Sequence, residues 1–92
     1  MKKFIKTDHF YQRAWERGIH QKQIDDLLKN VKPTKGKKIF LFGKKELKKA
    51  NIKLDNKSYV VVVAKGKVLL TIIIVENLFQ FLKSHRKTIM LF

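Results

Sequence analysis

The stretch S-Y-V-V-V-V-A-K-G-K-V-L-L-T-I-I-I-V, Ser58 to Val75, holds two β-branched and aliphatic runs around a Lys-Gly-Lys break. β-Branched side chains are stiff and pack well on a pleated surface, and a short glycine turn between two such runs signals a hairpin. Strands are therefore expected over Ser58–Ala64 and Lys67–Val75, joined at Lys65-Gly66, as the middle of a sheet. Neither run alternates with polar residues, which implies burial on both faces or a further partner on one. Broken at Lys65–Lys67, the runs are too short to span a bilayer as a helix.

Upstream, Thr7 or Asp8 is placed to cap a first helix ending near Arg17, with Gly18 as its stop. A second helix is expected from His20 or Gln21 to about Lys29, with Ile24, Leu27 and Leu28 at core spacing. Asn30 to Lys37, with Pro33 and Gly36, reads as a loop into a strand over Lys38–Phe42. Lys44 to Lys57 reads as a basic, partly mobile excursion, with a helical turn at Lys44–Ala50 or an edge strand at Asn51–Leu54. Downstream, Asn77 caps a last helix to about Arg86, and Thr88–Phe92 is strand-like and greasy. The fold class is α+β: two N-terminal helices on a twisted antiparallel sheet of about four strands, with a C-terminal helix.

Ninety-two residues, 45% of them apolar, fit one domain with a modest core over 1–92. Cysteine is absent, which excludes a disulfide framework and a thiolate metal site. The N-terminal M-K-K-F-I-K-T-D-H lacks the apolar run of a signal peptide, so a cytoplasmic setting is expected. Lys and Arg number 22 against seven Asp and Glu, a formal charge of +15. Self-repulsion of that size points to a polyanionic partner. The lysines are spread along the chain rather than gathered on one amphipathic helix, which argues for nucleic acid over a membrane surface.

His9, Arg13 and Arg17 stand at i, i+4 and i+8, so they form one stripe of about 12 Å on the first helix. Two of the chain's three arginines are in that stripe. A guanidinium fork grips phosphate oxygens bidentately, and flanking positive charge favours the neutral imidazole that a general base needs. On the same helical wheel Phe10, Tyr11, Ala14 and Trp15 span the apolar side. The bland alternative pairs the arginines with Glu16 or an Asp on a solvated face. His85-Arg86 repeats the pair of residue types near the C-terminus; if the fold brings it to the first helix, His9 and His85 serve as base and acid in RNA cleavage. Thr71, the one hydroxyl in its strand, is either satisfied in the core or a donor at an open sheet face. Lys6, Lys44, Lys45, Lys48, Lys49 and Arg86 are candidate phosphate contacts. No metal-ligand spacing and no Gly-rich phosphate loop occurs, so no metal or other cofactor is expected.

The segment I-K-T-D-H-F-Y-Q-R-A-W-E-R-G-I-H-Q-K-Q-I-D-D-L-L, Ile5 to Leu28, resembles the opening of the bacterial and phage domain-of-unknown-function 4258 family, with its T-x-H-x-x-x-R-x-x-x-R-G-I helix start. V-L-L-T-I-I-I-V, Val68 to Val75, resembles that family's closing V-x-T-V strand. This chain departs at His20, where a Ser-type cap is usual, and at Asn77-Leu78-Phe79. Such domains are similar to the RelE/ParE and colicin-type toxin superfamily, many of whose members cut RNA without metal. The resemblance implies His9, Arg13, Arg17 and Thr71 as the site of a toxin-like, metal-independent endoribonuclease that works by attack of the 2′-hydroxyl. The charge of +15 and the apolar segment Thr88–Phe92 point to an acidic antitoxin or immunity protein as partner, and the tail suggests a homodimer through the C-terminal segment. The alternative is a non-catalytic basic protein that binds nucleic acid or a protein target such as a topoisomerase.

Overall fold

The structure, a computed structural model, describes residues 4–55, 57–85 and 89–91. For Leu78, Leu82, Ser84, His85 and residues 89–91 it describes the backbone course alone. The elements run β1 (Ile5–Lys6), α1 (Asp8–Glu16), α2 (Gln21–Leu27), β2 (Thr34–Phe42), α3 (Lys44–Lys49), β3 (Tyr59–Gly66), β4 (Val68–Val75), α4 (Leu78–His85) and β5 (Ile89–Leu91). The fold class is α+β, as expected.

The hairpin forms as the two apolar runs dictate. β3 pairs antiparallel with β4 from Tyr59↔Val75 to Lys65↔Val68. The turn is one residue later than expected, at Gly66-Lys67, with Gly66 at φ +60°. Only glycine adopts that conformation freely, and the first residue of a two-residue hairpin turn of this hand requires it. β2 adds antiparallel on the other side of β3. The sheet is not wholly antiparallel, however: β1 joins β4 and β5 joins β2, both in parallel, giving the order β1-β4-β3-β2-β5. Strands of two and three residues carry no readable period. The greasy tail is thus not an unpaired strand, since Ile89–Leu91 pairs with β2 of its own chain.

Both sheet faces are covered, one of the two arrangements that the unbroken apolarity of β3 and β4 implies. Phe40, Phe42, Val60, Val62, Leu69 and Ile72 join Phe10 and Ala14 of α1 and Ile24 and Leu27 of α2 in the main core. Ile39, Leu41 and Val61 form a smaller cluster on the opposite face, where Phe81 of α4 packs. β2 starts earlier than expected, at Thr34, because Gly36 at φ +81° lets the chain bulge between Thr34 and Lys37 and stay paired.

Lys44–Ala50 is a docked helix and not a mobile excursion. Leu47, Ala50 and Ile52 are buried in the main core, and Gln23 Nε2 donates to Asn51 O at 2.8 Å. Two helices end in the same left-handed cap. In α1 the amide of Gly18 (φ +67°) donates to Trp15 O and that of Ile19 to Ala14 O; in α3 Asn51 (φ +60°) and Ile52 donate to Lys48 O and Leu47 O. Each cap satisfies two terminal carbonyls and buries an apolar pair, Ala14 with Ile19 and Leu47 with Ile52. Asn51–Leu54 forms no strand.

A Cβ on Gly18 meets no atom within 4 Å, so Gly18→Ala tests the backbone conformation alone. It is expected to cost about 1 kcal/mol and to lower Tm by roughly 4–8 °C. A melt followed by circular dichroism checks this, and an unchanged Tm would mean that the left-handed cap is absent.

Candidate nucleic-acid interface

The hydroxyl of Thr7 fixes where α1 starts. Thr7 Oγ1 accepts from Phe10 N at 3.1 Å as the N-cap and donates to Leu69 O of β4 at 2.9 Å. One side chain therefore satisfies an orphan helix donor and pins the helix over β4. With Phe10 and Ala14 turned into the core, the 100° step per residue leaves His9 exposed and Arg13 and Arg17 half-buried along the helix flank.

His9 and Arg13 are joined side chain to side chain, whereas Arg17 reaches the backbone of Arg13. Arg13 Nε donates to His9 Nε2 at 3.4 Å, and Arg17 Nη1 donates to Arg13 O at 3.2 Å. In this contact Nε2 is the accepting nitrogen of the imidazole. Arg13 Nη1 also lies 3.3 Å from Glu16 Oε2, so the solvated pairing weighed against the phosphate reading is present too. Both partners are about two-fifths exposed. Such a pair contributes about 0–1 kcal/mol, so a phosphodiester oxygen can displace the carboxylate.

Thr71 is not brought to this row. β4 bulges at Leu70, since Val63 pairs with Thr71 while Ala64 pairs with Leu69. Leu69 and Ile72 both enter the main core, so alternation from Ile72 turns Thr71 to the opposite face, with Ile73 and Val75. α4 lies on that opposite face, packed through Phe81. The backbone of His85 ends α4. Its side chain, and Arg86 entirely, lie outside the described residues.

Among the lysines, Lys44, Lys45, Lys48 and Lys49 all lie on α3 and away from the core, because Leu47 alone faces inward along that turn. Lys6 is different. Its Nζ lies 2.5 Å from Asp25 Oδ1 with the side chain 9% exposed, so its charge is already partnered. His20 starts α2 as a capping residue, its amide donating to Gln23 Oε1 at 2.7 Å.

Two aromatic residues expected on the apolar side of α1 are exposed. Trp15, assigned to the apolar side of α1, is 81% exposed, and Tyr11 is 39% exposed, with its hydroxyl accepting from Gln21 Nε2 at 3.3 Å. The buried arc of this helix is narrow, centred between Phe10 and Ala14, and Trp15 lies about 120° from that centre. An indole and a phenol one turn apart on a basic domain are surfaces on which bases can stack.

No three His, Asp or Glu side chains come together as a metal site among the described residues. No helix among them is long and apolar enough to cross a membrane. Neither protein-family models, nor curated proteins, nor solved structures match this chain.

Proposed function

We propose that this chain is a toxin-like, RNA-binding domain that holds phosphate on α1 and cleaves RNA without a metal. The row His9–Arg13–Arg17 carries the proposal, because it sets an imidazole and two guanidinium groups along one flank of the helix, with the first two hydrogen-bonded to each other. In the proposed step His9 Nε2 takes the proton of a 2′-hydroxyl, and O2′ attacks the adjacent phosphorus. O5′ then leaves, taking a proton from the imidazolium or from water, to give a 2′,3′-cyclic phosphate and a 5′-hydroxyl end. Arg13 and Arg17 stabilise the extra charge on the phosphorane, typically the larger contribution in such reactions. Arg13 must exchange its bonds with His9 and Glu16 for the phosphate, and both are long enough to yield.

A second reading, a binder that does not cut, draws on a specific observation: Thr71 and α4 lie on the sheet face away from this row. That leaves His9 and the Glu16 carboxylate as the acid–base groups at the stripe among the described residues. Under either reading a cytoplasmic setting and an acidic antitoxin or immunity protein remain part of the proposal, since the charge of +15 favours fast, salt-sensitive association with an acidic protein.

Incubation of RNA with the protein in chelator separates the two. Cleavage to cyclic-phosphate ends is expected for the wild type, with a loss of roughly 10²-fold or more in His9→Ala and in Arg13→Ala. Intact RNA with the wild type would remove the nuclease reading and leave the binder; equal cleavage by both variants would move the site elsewhere.

A further inference from the structure

The hairpin end of the sheet carries a charge arrangement that the α1 stripe does not explain. Lys37 of β2 stands directly opposite Lys65 of β3, and both are exposed. Directly opposed residues of an antiparallel pair have Cβ atoms about 4.5–5.5 Å apart, and like charges there are destabilising. Alternation sets both lysines on the face away from α1: Lys37 in line with Ile39 and Leu41, Lys65 in line with Val63 and Val61. Lys35, beside the Gly36 bulge, and Lys67, in the turn, are exposed next to them.

No carboxylate close in sequence offsets this repulsion. The sequence holds no Asp or Glu between Asp26 and Glu46, nor between Asp55 and Glu76. Among the described residues neither Lys37 nor Lys65 is in an ion pair with a carboxylate. A cross-strand pair of ammonium groups left in this state is relieved by an anion that presents several oxygens at once.

We propose that Lys37 and Lys65, flanked by Lys35 and Lys67, form a polyphosphate-binding site at the hairpin end of the sheet, on the face opposite α1. Ammonium groups are compact charges with rotatable donors on flexible stems, so the site reads charge density rather than fixed geometry. Its ligand is a run of phosphates, either free as inorganic polyphosphate or successive in a nucleic-acid backbone. The site does not depend on cleavage at α1. It makes an opposed pair of demands: the residues that bind the anion lower stability when the anion is absent.

Melts of the wild type, Lys65→Glu and Lys57→Glu, with and without millimolar inorganic triphosphate, test this. Lys57 is exposed just before β3, at the end of the sheet away from the turn, so its variant makes the same change in net charge elsewhere. Without triphosphate, Lys65→Glu is expected to melt about 2–6 °C above the wild type, because repulsion becomes attraction. With triphosphate the wild type and Lys57→Glu should gain several degrees and Lys65→Glu little. Lys65→Ala, which adds no carboxylate, should move the same way by less. Equal loss of the gain in Lys57→Glu would show a diffuse charge effect and overturn the site; so would a full gain retained by Lys65→Glu and Lys65→Ala.

A 2′-O-methyl RNA, which has no free 2′-hydroxyl, distinguishes the two sources of phosphate. If the backbone is the ligand, removing both lysines lowers the salt slope of binding by about 1.4, or roughly 0.7 per phosphate. If free polyphosphate is the ligand, that slope is unchanged while triphosphate still protects the wild type.

Discussion

Phe40→Ala is expected to remove about 3–5 kcal/mol of stability, the largest single loss predicted for this domain. Phe40 is fully buried at the centre of the main core. Its ring meets Phe4 edge-on, with centroids 6.2 Å apart and planes at 75°. Truncation forfeits the transfer energy of the ring and leaves a cavity between β2 and the N-terminal segment that a β-strand backbone cannot close. A domain of this length has roughly 5–14 kcal/mol in total, so the variant is expected to melt roughly 15–30 °C lower. Circular dichroism should follow the unfolding, because the single tryptophan is already exposed in the native state and reports little of it. A loss below about 1.5 kcal/mol, the scale of a volume-conserving swap, would contradict the packing of β2 described above.

The second large effect is on binding. Arg13→Ala combined with Arg17→Ala is expected to weaken RNA affinity by roughly 150-fold or more, from about 1.5 kcal/mol or more for each charged guanidinium–phosphate hydrogen bond removed. The fold should survive. Arg13 is held by a weak surface pair with Glu16 and Arg17 by one hydrogen bond to a backbone carbonyl, and neither guanidinium is part of the core.

How much of this was legible in the sequence follows from the length and periodicity of each signal. The hairpin was readable because two long Val/Ile runs flank a glycine. α1 was readable from its ends, Thr7 and Gly18, where side-chain and backbone chemistry are local. α3 was readable as a helical turn but not as a docked one, because K-K-E-L-K-K has one apolar residue in its turn and a half, and its anchor at Ala50 and Ile52 comes from tertiary packing. The edge strands β1 and β5 are too short for a period, and their parallel pairing is set by where the chain returns.

For the site, the spacing of His9, Arg13 and Arg17 carried over directly into geometry because a helix preserves i, i+4 relations. Thr71 did not carry over. Counted by twos from Leu69 it shares the face of α1, but one extra residue at Leu70 reverses every side chain beyond it. A bulge leaves no mark in a run of Leu, Thr and Ile. Trp15 was misplaced because a wheel gives an apolar arc without saying how much of it the sheet covers.

The central claim is that α1 grips RNA phosphates through Arg13 and Arg17, and a salt titration of affinity tests it most directly. Binding of a labelled, single-stranded 2′-O-methyl RNA is followed by anisotropy from low to physiological salt, for the wild type and for the double Arg13→Ala, Arg17→Ala variant. The wild type should show a steep log–log slope, and the variant should bind more weakly with a slope shallower by about 1.4. A variant that matches the wild type in affinity and slope would place the phosphates elsewhere on the domain, and the account of α1 would be wrong.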